Sequence, residues 1–217
     1  MLKKLAKKVA GKLGYQISRK QQSVPKKVVE NKFTMQKALE RSVKRGTEVG
    51  TVIDVGASDG RWSKICQASF PEAHFLMVEA QKEHEEKLKI YADANDRVGY
   101  VIAAAGRENG EIYFDNSSLF GGLASETPLE EDHVVVPVVS LDSEVKKRNL
   151  PPPYLLKLDT HGFEIPILEG ATEVIKQSSL IIIETYNFKL TKDSLRFYEM
   201  CVYMKELGFY WRWCWTK

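Results

Sequence analysis

The segment TVIDVGASDG, residues 51–60, runs from strand-forming positions into Asp54, Gly56 and Gly60. A dinucleotide-binding turn has the form G-x-G-x-x-G, with backbone N–H groups gathered around a pyrophosphate. Here Asp54 stands at the place of the first glycine, and the remaining spacing is G-x-x-x-G. A carboxylate repels a pyrophosphate and favours a cationic ligand. A second apolar run, FLMVE, ends in Glu79, where a carboxylate can accept both hydroxyls of a ribose. That acid alone means only a nucleoside, since NAD and S-adenosylmethionine sites share it. Loop and acid together favour a nucleoside with positive charge and no phosphate, and S-adenosylmethionine is such a molecule. The residues expected around it are Asp54, Gly56, Ala57, Ser58, Asp59, Gly60, Glu79, Ala80 and Ala104. The competing reading is a tight strand-to-helix turn with solvent-facing acids.

A second constellation is KLDTHGFEIPILEGA, residues 157–171. Asp159, His161 and Glu164 place three titratable groups within six residues, around Gly162 and just after an apolar strand. Pro166 follows near a helix start, where its missing N–H is tolerated. These three are the catalytic candidates. A third strand end supplies Glu184, followed by Tyr186 and Asn187. The loop FDNSSLFGGLASET, residues 114–127, offers Asn116 and Ser117 as donors. Glu184, Asn187, Asn116 and Ser117 are expected to face the acceptor.

The elements that must position these groups are legible from periodicity. Strands are predicted at 51–55, 74–79, 98–104, 111–115, 133–139, 154–158, 179–185 and 209–215. Helices are predicted at 33–46, 60–69, 81–91, 142–149, 163–176 and 191–207. Strands alternating with helices imply a mostly parallel sheet covered on both faces. The runs at 111–115 and 133–139 have no helix between them and read as an antiparallel excursion. Open sheets of this kind bind ligands outside the C-terminal ends of their strands. Asp54, Glu79, Asp159 and Glu184 all fall there.

In this order, VIDVGASDGRWS, VEA, VSLDS, LKLDTHGFEIPILEGA and IIIETY resemble the FkbM-type methyltransferase family over roughly residues 50–208. The K-x-D-x-x-G-x-E segment is the most specific part. The resemblance implies an α/β, Rossmann-like S-adenosylmethionine methyltransferase sheet with helices on both faces. It implies methylation of a hydroxyl, often on a sugar or secondary metabolite. It assigns Asp54, Gly56 and Gly60 to the cofactor loop, Glu79 to the ribose, and Asp159 with Glu164 to the neighbourhood of the methyl group. His161 stands where Glu or Gln is frequent. The family's seventh strand is missing or abbreviated at WRWCWTK, where Trp211, Trp213 and Trp215 alternate.

Several classes are disfavoured. LPPPY, residues 150–154, resembles the D/N-P-P-Y motif of amino methyltransferases, but Leu150 cannot bond an amine and the prolines precede the strand. An acidic body, with 23 basic against 29 acidic groups beyond residue 27, speaks against a nucleic-acid substrate. Three cysteines without a C-x-x-C pair suit a reducing, cytoplasmic setting and no zinc site. Two rivals remain. One is an inactive cofactor-binding scaffold recruited through the N-terminus. The other is a metal-assisted transferase with Asp159, Glu184 and Asn187 as oxygen ligands of Mg²⁺.

The chain divides into a basic helix and linker, 1–32, and a methyltransferase domain, 33–217. Residues 1–27 carry nine Lys or Arg and no acid. Leu2, Leu5, Val9, Leu13 and Ile17 line one helical face, with Lys4, Lys8 and Lys12 opposite. Such a helix can lie on an anionic membrane through residues 1–20, dock on the domain or a partner, or fray. If it lies on a membrane, each cation near the surface adds about 1 kcal/mol of attraction, and salt screens it. Sedimentation with anionic vesicles should then show binding that weakens with salt and is lost on deleting residues 1–22. Equal binding to neutral vesicles would contradict the electrostatic role.

Overall fold

The computed structural model describes residues 34–129 and 133–210. Its centre is a parallel sheet built from β1 (Thr51–Val55), β2 (His74–Glu79), β3 (Val98–Ile102), β8 (Tyr154–Leu158) and β9 (Ser178–Ile183). Their spatial order is β3-β2-β1-β8-β9, and neighbours pair in parallel. The chain builds outward from β1 in one direction, then returns to its other side with β8. The switch point, where such sheets bind ligands, is therefore at the C-terminal ends of β1 and β8.

Strand alternation divides the core into two layers. Val52, Phe75, Met77, Leu155, Leu180 and Ile182 face one side, where they meet α1 (Met35–Lys44), α2 (Arg61–Gln67) and α3 (Glu85–Asp93). Ile53, Leu76, Val78, Leu156, Leu158, Ile181 and Ile183 face the other. There they meet α4 (Leu141–Arg148), α5 (Glu164–Glu169), α6 (Thr172–Lys176) and α7 (Phe197–Glu206). A sheet covered on both faces needs apolar residues at every strand position, which explains the continuous runs FLMVE and LIII. Asp54 and Lys157 are the two charges inside this pattern. They are paired in register on adjacent strands and lie on the same face.

A second sheet, ordered β4-β7-β5-β6, joins β4 (Ala104–Ala105), β5 (Gly110–Asp115), β6 (Leu123–Ser125) and β7 (Val134–Val139). The β5–β7 pair is antiparallel, as the missing helix implied. The strand predicted at 98–104 breaks after Ile102, because Ala104 and Ala105 leave β2 and pair with β7. β6 was not predicted.

Four further boundaries differ from expectation. The helix predicted at 81–91 starts as a 3₁₀ turn, Lys82–His84, before α3. The helix predicted at 163–176 is two helices. Gly170 interrupts it where its backbone packs against Gly106, and an added Cβ would overlap the Gly106 carbonyl oxygen. Asp142 then caps α6 by accepting the Glu173 and Val174 N–H groups at 3.1 and 2.9 Å. The helix predicted at 191–207 begins only at Phe197. Thr191 and Ser194 bond each other's backbone in a turn, and Glu199 Oε2 accepts the Arg196 N–H at 2.8 Å. Residues 209–210 are not strand, and the rest of the strand predicted at 209–215, with Trp211, Trp213 and Trp215, lies outside the described residues. So does the basic helix of 1–32. Among the described residues no helix is long and apolar enough to cross a membrane.

Candidate active site

The loop after β1 is shaped by Gly56 and Ser58, both in the left-handed region at φ 70° and 52°. Gly56 has a second constraint: a Cβ there would overlap the carbonyl oxygen of Asp159, in the loop after β8. Any side chain would push the two ligand-facing loops apart. The N–H groups of Gly56 and Ala57 both donate to the Val78 carbonyl, at 3.0 and 3.2 Å. Ser58 N–H donates to Glu79 Oε2 at 2.7 Å, and Gln81 N–H to Glu79 Oε1 at 2.8 Å. The amides at Gly56, Ala57 and Ser58, which a dinucleotide turn would aim at phosphate, are spent on β2 and Glu79. Asp59 then occupies the start of α2, in a bidentate bond with Arg61 at 2.8 Å to each oxygen. That bond holds the Asp59 carboxyl far below its ordinary range, against the opposing effect of partial burial.

Beneath it is a buried ion pair. Lys157 Nζ sits 2.9 Å from Asp54 Oδ1 and 3.5 Å from Asp159 Oδ2. It also donates to the Gly56 carbonyl at 2.9 Å. Ser63 Oγ, from α2, donates to the other Asp54 oxygen at 2.7 Å. Asp54 is 0% exposed and Lys157 5%. Burial alone pushes the Lys157 pKa down, but Asp54 and then Asp159 outweigh it, and the net direction is up. Lys157 is a structural cation here and no proton donor.

Asp159 faces both ways. One oxygen looks inward to Lys157; the other lies 4.0 Å from His161 Nε2. Burial raises its pKa, but a hydrogen bond with Glu184 and the charges of Lys157 and His161 win, and the carboxyl stays below the usual carboxylate range. A carboxylate held that low is a weak base. Tyr186 Oη donates to Glu184 Oε1 at 3.2 Å. Burial and the Glu184 charge push the Tyr186 phenol up to about 12, so it acts as a neutral donor. His161 is half-buried and has φ 48°, which turns its ring towards Asp159 and Glu184. Ligand atoms of Asp159, His161 and Glu184 lie within 4.8 Å of one another, close enough to hold a cation. The sequence-based ligand set had Asn187 in place of His161; Asn187 is exposed, whereas His161 gathers with Asp159 and Glu184.

The remaining candidates divide. Glu164 is buried and accepts from Gly162 N–H at 2.9 Å and Thr160 Oγ1 at 3.2 Å, so it fixes the loop carrying Asp159 and His161. Ala80 packs against the core beside Glu79, and Ala104 is buried in β4. Asn116 and Ser117 are exposed, with Ser117 N–H bonded to Asp115. The neighbouring Ser118 and Leu119 make the contacts with the loop after β2 instead, through their carbonyls. Sequence reasoning missed Lys157, Gln81 and His84 as positioning groups. Lys157 carried a signal, as the one charge in the apolar strand YLLKL; Gln81 and His84 carried none.

Removing Lys157 should expose what the pair does. Losing one partner of a buried pair costs about 3–5 kcal/mol. Lys157→Met should therefore lower the urea-unfolding free energy by that order, and Asp54→Asn added to it should restore part. Because Asp159 is depressed in the fold, its stabilisation is complete above the ordinary carboxylate range and is lost as pH falls through its folded value. Without Lys157 that value rises, so acid unfolding of the single variant should begin at higher pH. Wild-type stability and acid limb in Lys157→Met would contradict this arrangement.

The match to the methyltransferase FkbM domain spans residues 54–210, from Asp54 through the whole candidate site. The chain is 24% identical over 137 residues to hexuronic acid methyltransferase AglP of Haloferax volcanii, covering 61% of this chain and 54% of that protein. Its fold resembles the crystal structure of methyltransferase FkbM from Methylobacillus flagellatus KT, with TM-score 0.50 and 18% identity, over 73% of this chain and 37% of that one. The chain thus spans about half of the curated relative and less of the structural neighbour. With the match running over most of its length, the chain belongs to the methyltransferase FkbM family.

Proposed function

We propose that the chain is an S-adenosylmethionine-dependent methyltransferase that methylates a hydroxyl of a sugar, glycan or secondary metabolite. The observation that carries this reading is the loop after β1. Its amides at residues 56–58 are consumed by Val78 and Glu79, and its acids leave no seat for phosphate. A nucleoside sulfonium suits that cradle: Glu79 would take the ribose, the Gly56 backbone allows close approach, and Asp159 offers a half-exposed acid, while Asp54 is buried against Lys157 and only shapes the loop. The bound cofactor supplies a methyl group on a positively charged sulfur.

The chain's own groups then have separable tasks. Asp159, ionised and tied to Lys157, orients the acceptor hydroxyl or the cofactor's amino end. His161, beside it, takes the hydroxyl proton, because Asp159 is held too acidic to do so well. Glu184 and Tyr186 complete the polar wall, and Glu164 holds the loop. The printed name of the Haloferax relative, a hexuronic acid methyltransferase, supports a sugar as the acceptor's class.

Transfer of labelled methyl from S-adenosylmethionine to sugar, glycan and small-molecule extracts tests the reading. On an acceptor so identified, His161→Ala should lose about 10²–10⁴-fold in turnover, the usual worth of a positioned base. Asp159→Asn should also cut turnover strongly, because orientation of reactants carries much of such a rate. Wild-type turnover in both variants would make this loop structural. The same three groups, Asp159, His161 and Glu184, could instead act through a cation. That second reading requires loss of turnover with a chelator, which proton transfer to His161 does not.

A further inference from the structure

Residues 116–122 leave β5 at Asp115 and return in β6 at Leu123. Between those points they cross to the loop after β2. Gln81 Nε2 donates to the carbonyls of Ser118 at 3.0 Å and Leu119 at 3.4 Å. His84 Nε2 lies 2.8 Å from the same Leu119 carbonyl. A carbonyl can only accept, so this nitrogen carries the proton. Both anchors are buried, yet what they hold is exposed: Leu119 is 44% and Phe120 58% accessible. The Phe120 ring lies 5.5 Å from the His84 ring, and the Arg61 guanidinium lies 5.5 Å from it on α2. The anchor is also tied to the cofactor corner, since Ser58 Oγ is 3.5 Å from His84 Nε2 and Ser58 N–H is bonded to Glu79.

Two buried polar side chains spent on an exposed backbone do little for the core. They do fix where Leu119 and Phe120 stand, next to the acid placed for a ribose. A nucleoside bound at Glu79 carries a flat aromatic base, and an exposed aromatic ring at that spot is its natural cover. We infer that residues 116–122 form the outer wall of the nucleoside site. In that wall Phe120 packs on the adenine, and Gln81 and His84 are the positioning residues that hold it there. This rests on the S-adenosylmethionine reading above and extends it to groups outside the β1 and β8 loops.

The test uses the full chain and S-adenosylhomocysteine as the probe. Hydrogen exchange of the 116–122 amides should slow when the probe is added. In calorimetric titration Phe120→Ala should weaken the probe about ten-fold, as loss of one aromatic stack on a base does. His84→Ala should weaken it similarly, whereas His84→Gln, which keeps a donor, should recover most of the affinity. The KM for the acceptor should not move in Phe120→Ala, which would shift if the ring merely shaped the acceptor pocket. Unchanged exchange on probe binding, or wild-type affinity in Phe120→Ala, overturns the inference while leaving the cofactor reading intact. A wild-type chain that fails to bind the probe overturns both.

Discussion

The buried pair between Asp54 and Lys157 organises the ligand end of this sheet. Both residues sit on strands that are buried at every position, and parallel register places them side by side on one face. A buried ion pair returns little net stability once desolvation is counted, so its value here lies in position. Lys157 gathers one carboxylate oxygen from Asp54, the Gly56 carbonyl and, more loosely, Asp159. The loops after β1 and β8 are thereby drawn into contact, closely enough that only glycine fits at residue 56. Ser63 secures the remaining Asp54 oxygen and so links α2 to the same point.

From that arrangement the polarity of the site follows. With its carbonyl turned down to Lys157, the loop after β1 directs its amides sideways to Val78 and Glu79. No array of N–H groups at residues 56–58 is left to receive a phosphate. Glu79 holds the loop through Ser58 and its own loop through Gln81, so both of its carboxylate oxygens are fixed by backbone N–H groups. On the other side Lys157 keeps Asp159 ionised, and Glu164 keeps the turn that presents His161. Asp159 and Glu184 stay half-buried at the ligand end of the sheet, while Asp54 is fully buried against Lys157.

Much of this was legible in the sequence. The strands at 51–55, 74–79 and 154–158 match residue for residue, because a strand covered on both faces is a mostly apolar run with polar residues at or near its end. The strand-end acids Asp54, Glu79, Asp159 and Glu184 were found by the same logic. What sequence reasoning missed depends on contacts distant along the chain. Gly170 splits a helix only because the Gly106 backbone lies against it, and β3 ends where Ala104 finds β7. The helix predicted at 191–207 takes in residues 191–196, yet Thr191 and Ser194 bond local backbone there. Lys157 was visible as an odd charge, but its main partners, Asp54 and the Gly56 carbonyl, lie a hundred residues away. Gln81 and His84 act on a loop whose approach no local pattern announces.

The central claim is that the β1–β2 corner accepts a cationic nucleoside and excludes a phosphate-bearing one. Calorimetric titration of the wild-type chain with S-adenosylmethionine and, separately, with NAD tests it most directly. Saturable binding of S-adenosylmethionine that is lost in Glu79→Ala, with no binding of NAD, is the predicted result. Tight binding of NAD, or S-adenosylmethionine affinity unchanged in Glu79→Ala, would contradict it.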